Sequence, residues 1–148
     1  MRVVLDTNVF VSAIFFGGVP GQVLGLWRDG ELALLLTAGI LTEYEAVLHR
    51  LQRRYPGVDP EPIIGLLVRQ GEFVEPVAQK APICADPDDD KFLLAAAAGG
   101  CPLVISGDRH LLDASGWQGI EVLTPALFMR RYRSEQEHPR GRRTRRRR

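Results

Sequence analysis

Short, wholly apolar runs separated by segments of helical periodicity limit what this chain can fold into. Val3-Val4-Leu5, Leu32 to Leu36 and Leu103 to Ile105 contain no polar residue. Runs this short and this apolar fit strands buried on both faces, as parallel strands are. Between them, Leu41, Tyr44, Val47, Leu48 and Leu51 recur at helical spacing and predict a helix over 42–55. Glycines and prolines punctuate the rest. They predict a strand over 2–5, helices over 9–16 and 21–29, and a strand over 32–37. A helix from Pro60 or Pro62 to Gln70 follows, then an edge strand over 73–77 that Pro76 keeps at the border. Next come a helix over 91–98, a strand over 103–106 and a short helix over 110–114. A strand over 120–123 and a helix from Pro125 through Tyr132 close the series. Thr7 or Asn8 is the expected cap of the first helix. This alternation argues an α/β fold of three layers, with a central, mostly parallel sheet and helices on both faces.

Length and charge then divide the chain. Its 148 residues favour one domain, large enough to build a core without disulfides or structural zinc. Residues 139–148, PRGRRTRRRR, hold seven of the 19 Lys+Arg and no acid, which leaves 12 basic residues against 18 acidic ones in the body. The body is therefore −6 and the tail +7. The expected division is a folded domain over 1–133 and a disordered, Arg-rich tail over 134–148. Arg142, Arg143, Arg145, Arg146, Arg147 and Arg148 are candidates for an RNA-binding arm, against the plainer reading of a solubilising terminus. No stretch reaches the ~20 apolar residues of a membrane span. The apolar start lacks the cleavage site of a signal peptide. Two lone cysteines, Cys84 and Cys101, are no disulfide framework, so a cytoplasmic location is expected.

Acids stand out at four places: Asp6 after the first strand, Glu43 early in a helix, the run Asp86-Pro87-Asp88-Asp89-Asp90, and Asp108 after the third apolar run. Each has a plain reading as a cap, a turn or a solvated helix acid. In open parallel sheets, however, ligands gather outside the carboxyl ends of strands, where Asp6 and Asp108 fall. Two charges ~5 Å apart repel by roughly 3 kcal/mol at an effective dielectric of 20. Clustered carboxylates therefore need raised pKa values or a cation. Hard divalent ions such as Mg²⁺ or Mn²⁺ take oxygen ligands. The scattered His49, His110 and His138 show no zinc spacing.

Four segments together resemble the motifs of PIN-domain nucleases. They are Val3-Val4-Leu5-Asp6-Thr7-Asn8-Val9, Glu43 within LTEYEAVLHR, DPDDDKFLLAAAAGG, and VISGDRHLL, in order over about residues 2–128. The closest likeness is to the PIN-family toxins of prokaryotic toxin–antitoxin systems. The resemblance implies a parallel sheet with strand one beside the strand ending at Ser106. It implies hydrolysis of RNA phosphodiesters dependent on Mg²⁺ or Mn²⁺, as one or two ions. Carried over by position, Asp6, Glu43, Asp90 and Asp108 would be the catalytic, metal-binding acids. Asp90 is chosen because it immediately precedes Lys91-Phe92, with Asp88 and Asp89 as adjacent alternatives. Asp86 would order the loop, while Asn8 and Ser106 would orient an acid or a water. A cognate antitoxin and a homodimer are the partners implied alongside RNA.

Other chemistries fit less well. FGGVPGQV lacks the Lys-Ser/Thr of a phosphate-binding loop. Phosphotransfer through an aspartyl phosphate also gathers acids around Mg²⁺, but Asp6-Thr7-Asn8 has no paired acid and Glu43 on a helix does not suit it. A non-catalytic RNA- or protein-binding module with a structural cation site is the third reading. Lys91 and Arg109, beside the acids, read first as salt-bridge partners and second as phosphate contacts. Cys84 reads as a small buried residue rather than a nucleophile.

Overall fold

A computed structural model describes residues 1–79 and 81–138. Strand β1 (Arg2–Leu5) leads into helices α1 (Thr7–Phe15) and α2 (Gly18–Arg28). Strand β2 (Ala33–Leu36) is followed by α3 (Ala38–Arg54), α4 (Glu61–Gln70) and the two-residue β3 (Glu72–Phe73). A 3₁₀ turn (Pro87–Asp89) runs into α5 (Asp90–Ala98), then β4 (Leu103–Ile105) and α6 (Arg109–Asp113). A second 3₁₀ turn (Trp117–Gly119), β5 (Glu121–Leu123) and α7 (Pro125–Glu137) complete the series.

The strands form one sheet in the order β3-β2-β1-β4-β5, and every neighbouring pair is parallel. The apolar runs explain this. Val3, Val4, Leu5, Leu34, Leu35, Leu36, Val104 and Ile105 are each at most 2% exposed. Burying such a side chain contributes roughly 1.5–3 kcal/mol. The chain steps one way from β1 to β3, then crosses back to β4. Right-handed crossovers put α1 to α4 on one face and α5 and α6 on the other. Helix α5 lies across β1, β2 and β4, and α7 packs on α2. The result is the three-layer α/β fold that the alternation of runs predicts. Strand order reverses between β1 and β4, which pair through Val4–Val104 and Leu5–Ile105. Their carboxyl ends therefore open the crevice where such sheets bind ligands.

Boundaries differ where capping decides them. Asp6, not Thr7 or Asn8, caps α1, because the helix starts directly at the strand's end. Helix α3 starts four residues before the predicted 42, since Thr37 Oγ1 accepts from the Ile40 amide at 3.1 Å. Helix α7 runs on to Glu137, with the His138 amide bonded to the Ser134 carbonyl at 3.1 Å, so 134–137 are helical rather than disordered. Polar composition alone does not separate an exposed helix end from a solvated tail. The arginines from Arg142 to Arg148 lie outside the described residues. Helix α7 starts at Pro125, near Asn8 and Asp108, and carries Tyr132 and Glu135 to the side of Met1 and Arg2. Among the described residues no single helix is long and apolar enough to cross a membrane. Helices α1 and α2 reach that length only as a pair bent by 94°, and Gly17 and Gly18, at φ of +68° and +61°, make the bend.

Candidate active site

Asp6 follows β1 with extended backbone, so its carboxylate reaches over the next turn. One oxygen, Oδ1, accepts from the Val9 amide at 2.8 Å and caps α1. The other, Oδ2, accepts the hydroxyl of fully buried Ser106. Ser106 Oγ in turn accepts from the Asp108 amide at 2.9 Å. The Asp108 carboxylate caps α6, accepting from the Leu111 amide at 3.2 Å. One hydroxyl thus ties the ends of β1 and β4 together and orients both acids. The capping roles are real, and they leave room for another. A carboxylate has about four lone-pair sites, and capping uses one.

Glu43 reaches the same place from α3. Its carboxylate accepts the Thr7 hydroxyl and pairs with Lys91. Lys91 is therefore a salt-bridge partner, as its first reading has it. Asp6, Glu43, Asp89 and Asp108 line one cleft of about 350 Å³, together with Thr7, Asn8, Val47, Arg50 and Phe92.

Asp90 does not belong to that cleft. Its two oxygens accept from the Ile83 amide at 3.0 Å and the Cys84 amide at 2.8 Å, and the residue is only 7% exposed. It staples the incoming loop to the first turn of α5. The 3₁₀ turn over Pro87–Asp89 winds more tightly than an α-helix and rotates the run. That rotation presents Asp89 to the sheet's end and tucks Asp90 beneath the loop. Asp86 accepts from the Asp88 amide at 3.0 Å and starts the turn, which is an ordering role. Asn8 stands at the mouth of the cleft, where it also borders a neighbouring groove lined by Ser12, Pro20 and Pro125.

The electrostatics follow from crowding. Burial pushes the Asp6 carboxyl above its ordinary value, against the pull of Ser106 and the Val9 amide, and Asp108 adds to the rise. Burial, then neighbouring Asp108, raises Asp89 as well. His110 Nδ1 lies 3.4 Å from Asp89 and 3.8 Å from Asp108, and its hydrogen bond offsets part of the Asp89 shift. Burial also pushes the Cys84 thiol up to about 12, which leaves it inert. The donors are carboxylate oxygens, the hard ligands that suit a divalent cation of the Mg²⁺ or Mn²⁺ kind. One ligand atom each from Asp86, Asp89 and His110 also lie within 4.8 Å of one another. A cation would reverse the penalty that burial imposes on these charges.

Sequence reasoning brings Asp6, Glu43 and Asp108 to one place, holds Asp89 only as an alternative to Asp90, and misses Arg50 and His110. Arg50 had a signal. It stands seven residues after Glu43, two helical turns along the same face. His110 had a weaker one, two residues beyond Asp108 in the first turn of α6.

A family model described as "PIN domain" matches residues 2–110. The chain belongs to the PIN-domain family. PIN domains are generally nucleases and typically use divalent metals, in keeping with an acid-lined cleft at the strand ends. The match spans all four acids of the cleft. This PIN domain is also similar to an uncharacterized protein of Methanocaldococcus jannaschii, 29% identical over 118 residues covering 76% of this chain and 74% of that protein.

Proposed function

We propose that this PIN domain is an endoribonuclease that hydrolyses RNA phosphodiester bonds with Mg²⁺ or Mn²⁺, as one or two ions. One observation carries the reading: carboxylates from four separate elements, Asp6, Glu43, Asp89 and Asp108, converge on a single cleft at the sheet's switch point. These four are the proposed metal-holding and catalytic acids, with Asp89 in the place the sequence gives to Asp90. A bound divalent ion supplies charge neutralisation on the phosphodiester and activation of water. The chain's own residues supply the rest. Ser106 holds Asp6 and the backbone of Asp108 in register. Thr7 and Lys91 fix the Glu43 carboxylate. Arg50, a cation lining the same cleft, is proposed to meet a phosphate oxygen. Asn8 at the mouth is proposed to orient water or substrate.

The test is cleavage of a mixed RNA pool with added Mg²⁺ or Mn²⁺, beside Asp6→Asn and Asp89→Asn proteins. Metal-dependent cleavage by the wild type, lost in both folded variants, is the expected result. Undiminished cleavage by Asp6→Asn overturns the site. A stable acyl phosphate on Asp6 without RNA cleavage turns the reading to phosphotransfer. The likeness to PIN-family toxins further supports a role as the cytoplasmic toxin of a toxin–antitoxin pair. Its antitoxin would insert into the acidic cleft, and the toxin would act as a homodimer. In that setting the arginines from Arg142 to Arg148 are proposed as an RNA-binding arm. Growth arrest on expression, relieved by a co-expressed partner, tests the toxin role.

A further inference from the structure

Five of the 11 aromatic side chains, Phe10, Trp27, Tyr44, Phe92 and Phe128, are each at most 3% exposed. Phe16, Tyr55 and Phe73 are exposed, and the first two meet on the surface. Phe16, just past α1, is 61% exposed, and Tyr55, just past α3, is 36% exposed. Their rings meet edge to face at 5.4 Å, and Phe15 lies 5.9 Å from Tyr55. The Arg54 guanidinium stands 6.0 Å from the Tyr55 ring centre. A surface cluster of rings beside a cation is the arrangement that stacks an unpaired base.

Its position connects it to the acids. Helices α1 and α3 start together at the cleft, where Thr7 bonds to Glu43, and they pack along each other. Both end at the aromatic cluster. On α3, Glu43, Val47, Arg50 and Arg54 recur at spacings of four, three and four, which is one stripe of a helix. The first three line the cleft, and Arg54 continues the stripe one turn further. Glu43 and Arg54 are about 16 Å apart along the helix axis. The stripe therefore changes from acidic to basic to aromatic in that distance. Arg53 adds a further positive charge in the last turn. Among the described residues no acid pairs with Arg50, Arg53 or Arg54.

We propose that this stripe, from Arg50 to Tyr55 with Phe16, is the track for the unpaired nucleotides that flank the bond to be cut. Arg50 and Arg54 take backbone phosphates, and Tyr55 with Phe16 stacks a base. The charge sequence favours this occupant over an apolar peptide, since two unpaired guanidinium groups lie between the rings and the acids. The track rests on the proposed nuclease reading. A duplex keeps its bases stacked inside and offers none to Tyr55, so the track selects single strands.

The experiment measures binding and cleavage separately on the full chain. A labelled single-stranded oligouridylate and a blunt-ended, loop-free RNA duplex of equal length are titrated by fluorescence anisotropy at several salt concentrations. Tyr55→Ala is expected to weaken single-strand binding about tenfold and to leave duplex binding unchanged. Tyr55→Phe, which keeps the ring, should restore wild-type binding. Arg54→Gln should flatten the single-strand salt slope by about 0.7. If Tyr55→Ala melts and binds like the wild type while the wild type still cleaves RNA, the track is wrong and the nuclease reading stands. If the wild type neither binds nor cleaves RNA, both fall. If Tyr55→Ala instead converts a dimer to a monomer with RNA binding intact, the cluster is an interface between copies and the track is overturned.

Discussion

Replacing Asp90 and Asp89 separately by alanine should produce opposite failures, although the two acids are neighbours. Asp90 accepts two backbone amides, Ile83 at 3.0 Å and Cys84 at 2.8 Å, and water has little access to replace it. A hydrogen bond to a charged group contributes about 1.5–3 kcal/mol. Removing both bonds at once and orphaning the amides should cost about 3–5 kcal/mol, a large share of the ~5–15 kcal/mol that holds a domain. For a chain of this size that lowers Tm by on the order of 10 °C. Asp89→Ala removes a carboxylate that burial and Asp108 already disfavour as an ion. Its stability without metal should stay level or rise. The difference reverses when metal is added. An ion that binds only the native state stabilises it by about 2.7 kcal/mol at a hundredfold excess over Kd. The wild type and Asp90→Ala should both gain from millimolar Mn²⁺, and Asp89→Ala should lose most of that gain. Thermal melts in chelator and in Mn²⁺ give all six values. The reasoning is refuted if Asp90→Ala melts with the wild type but loses its Mn²⁺ response while Asp89→Ala keeps it.

Three further outcomes follow from the same geometry. Asp6→Asn keeps the cap on α1, since Asn and Asp cap about equally well, and removes a charge that burial disfavours. The native pKa of Asp6 is raised, so in metal-free protein its protonated form adds stability that is present at acid pH and lost as pH rises through the raised value. Asp6→Asn should therefore melt above the wild type in chelator at neutral pH, with the advantage gone below pH ~4; a variant that melts lower at neutral pH contradicts this. Ser106→Ala should cost about 1–3 kcal/mol in denaturant titrations by stranding the Asp108 amide, and it should raise the pH at which Mn²⁺ binds, because Asp6 loses the hydroxyl that lowers its pKa. Removing residues 139–148 should weaken RNA binding most at low salt and flatten the salt slope, bounded by about 0.7 for each of the seven arginines, while turnover at saturating RNA stays the same.

The fold was legible because its strands announce themselves. Val3-Val4-Leu5, Leu34-Leu35-Leu36 and Val104-Ile105 are short, apolar and rich in residues that suit strands, and a sheet covered on both faces buries them, whereas the equally apolar Phe92 to Ala98 is longer and rich in alanine and forms a helix. Asp6 and Asp108 were legible for the same reason, as the first charges after buried runs. Asp89 was not. Choosing it over Asp90 depends on the wind of a single 3₁₀ turn, and that wind depends on amides at Ile83 and Cys84 that must find an acceptor. His110 was missed because its nearer partner, Asp89, lies on another element, which periodicity cannot report. The end of α7 was missed because Ser134 to Glu137 have the composition of a tail and the hydrogen bonds of a helix.

Helix α7 also gives the molecule a polarity. It begins near Asn8 and Asp108 and delivers Tyr132 and Glu135 to Met1 and Arg2, at the start of β1. Its 13 residues span about 20 Å. The chain therefore enters and leaves the described fold at one pole, and the acids open at the other. Anything tethered through Met1 or beyond His138, whether a tag, a second domain or a surface, leaves the cleft facing outward.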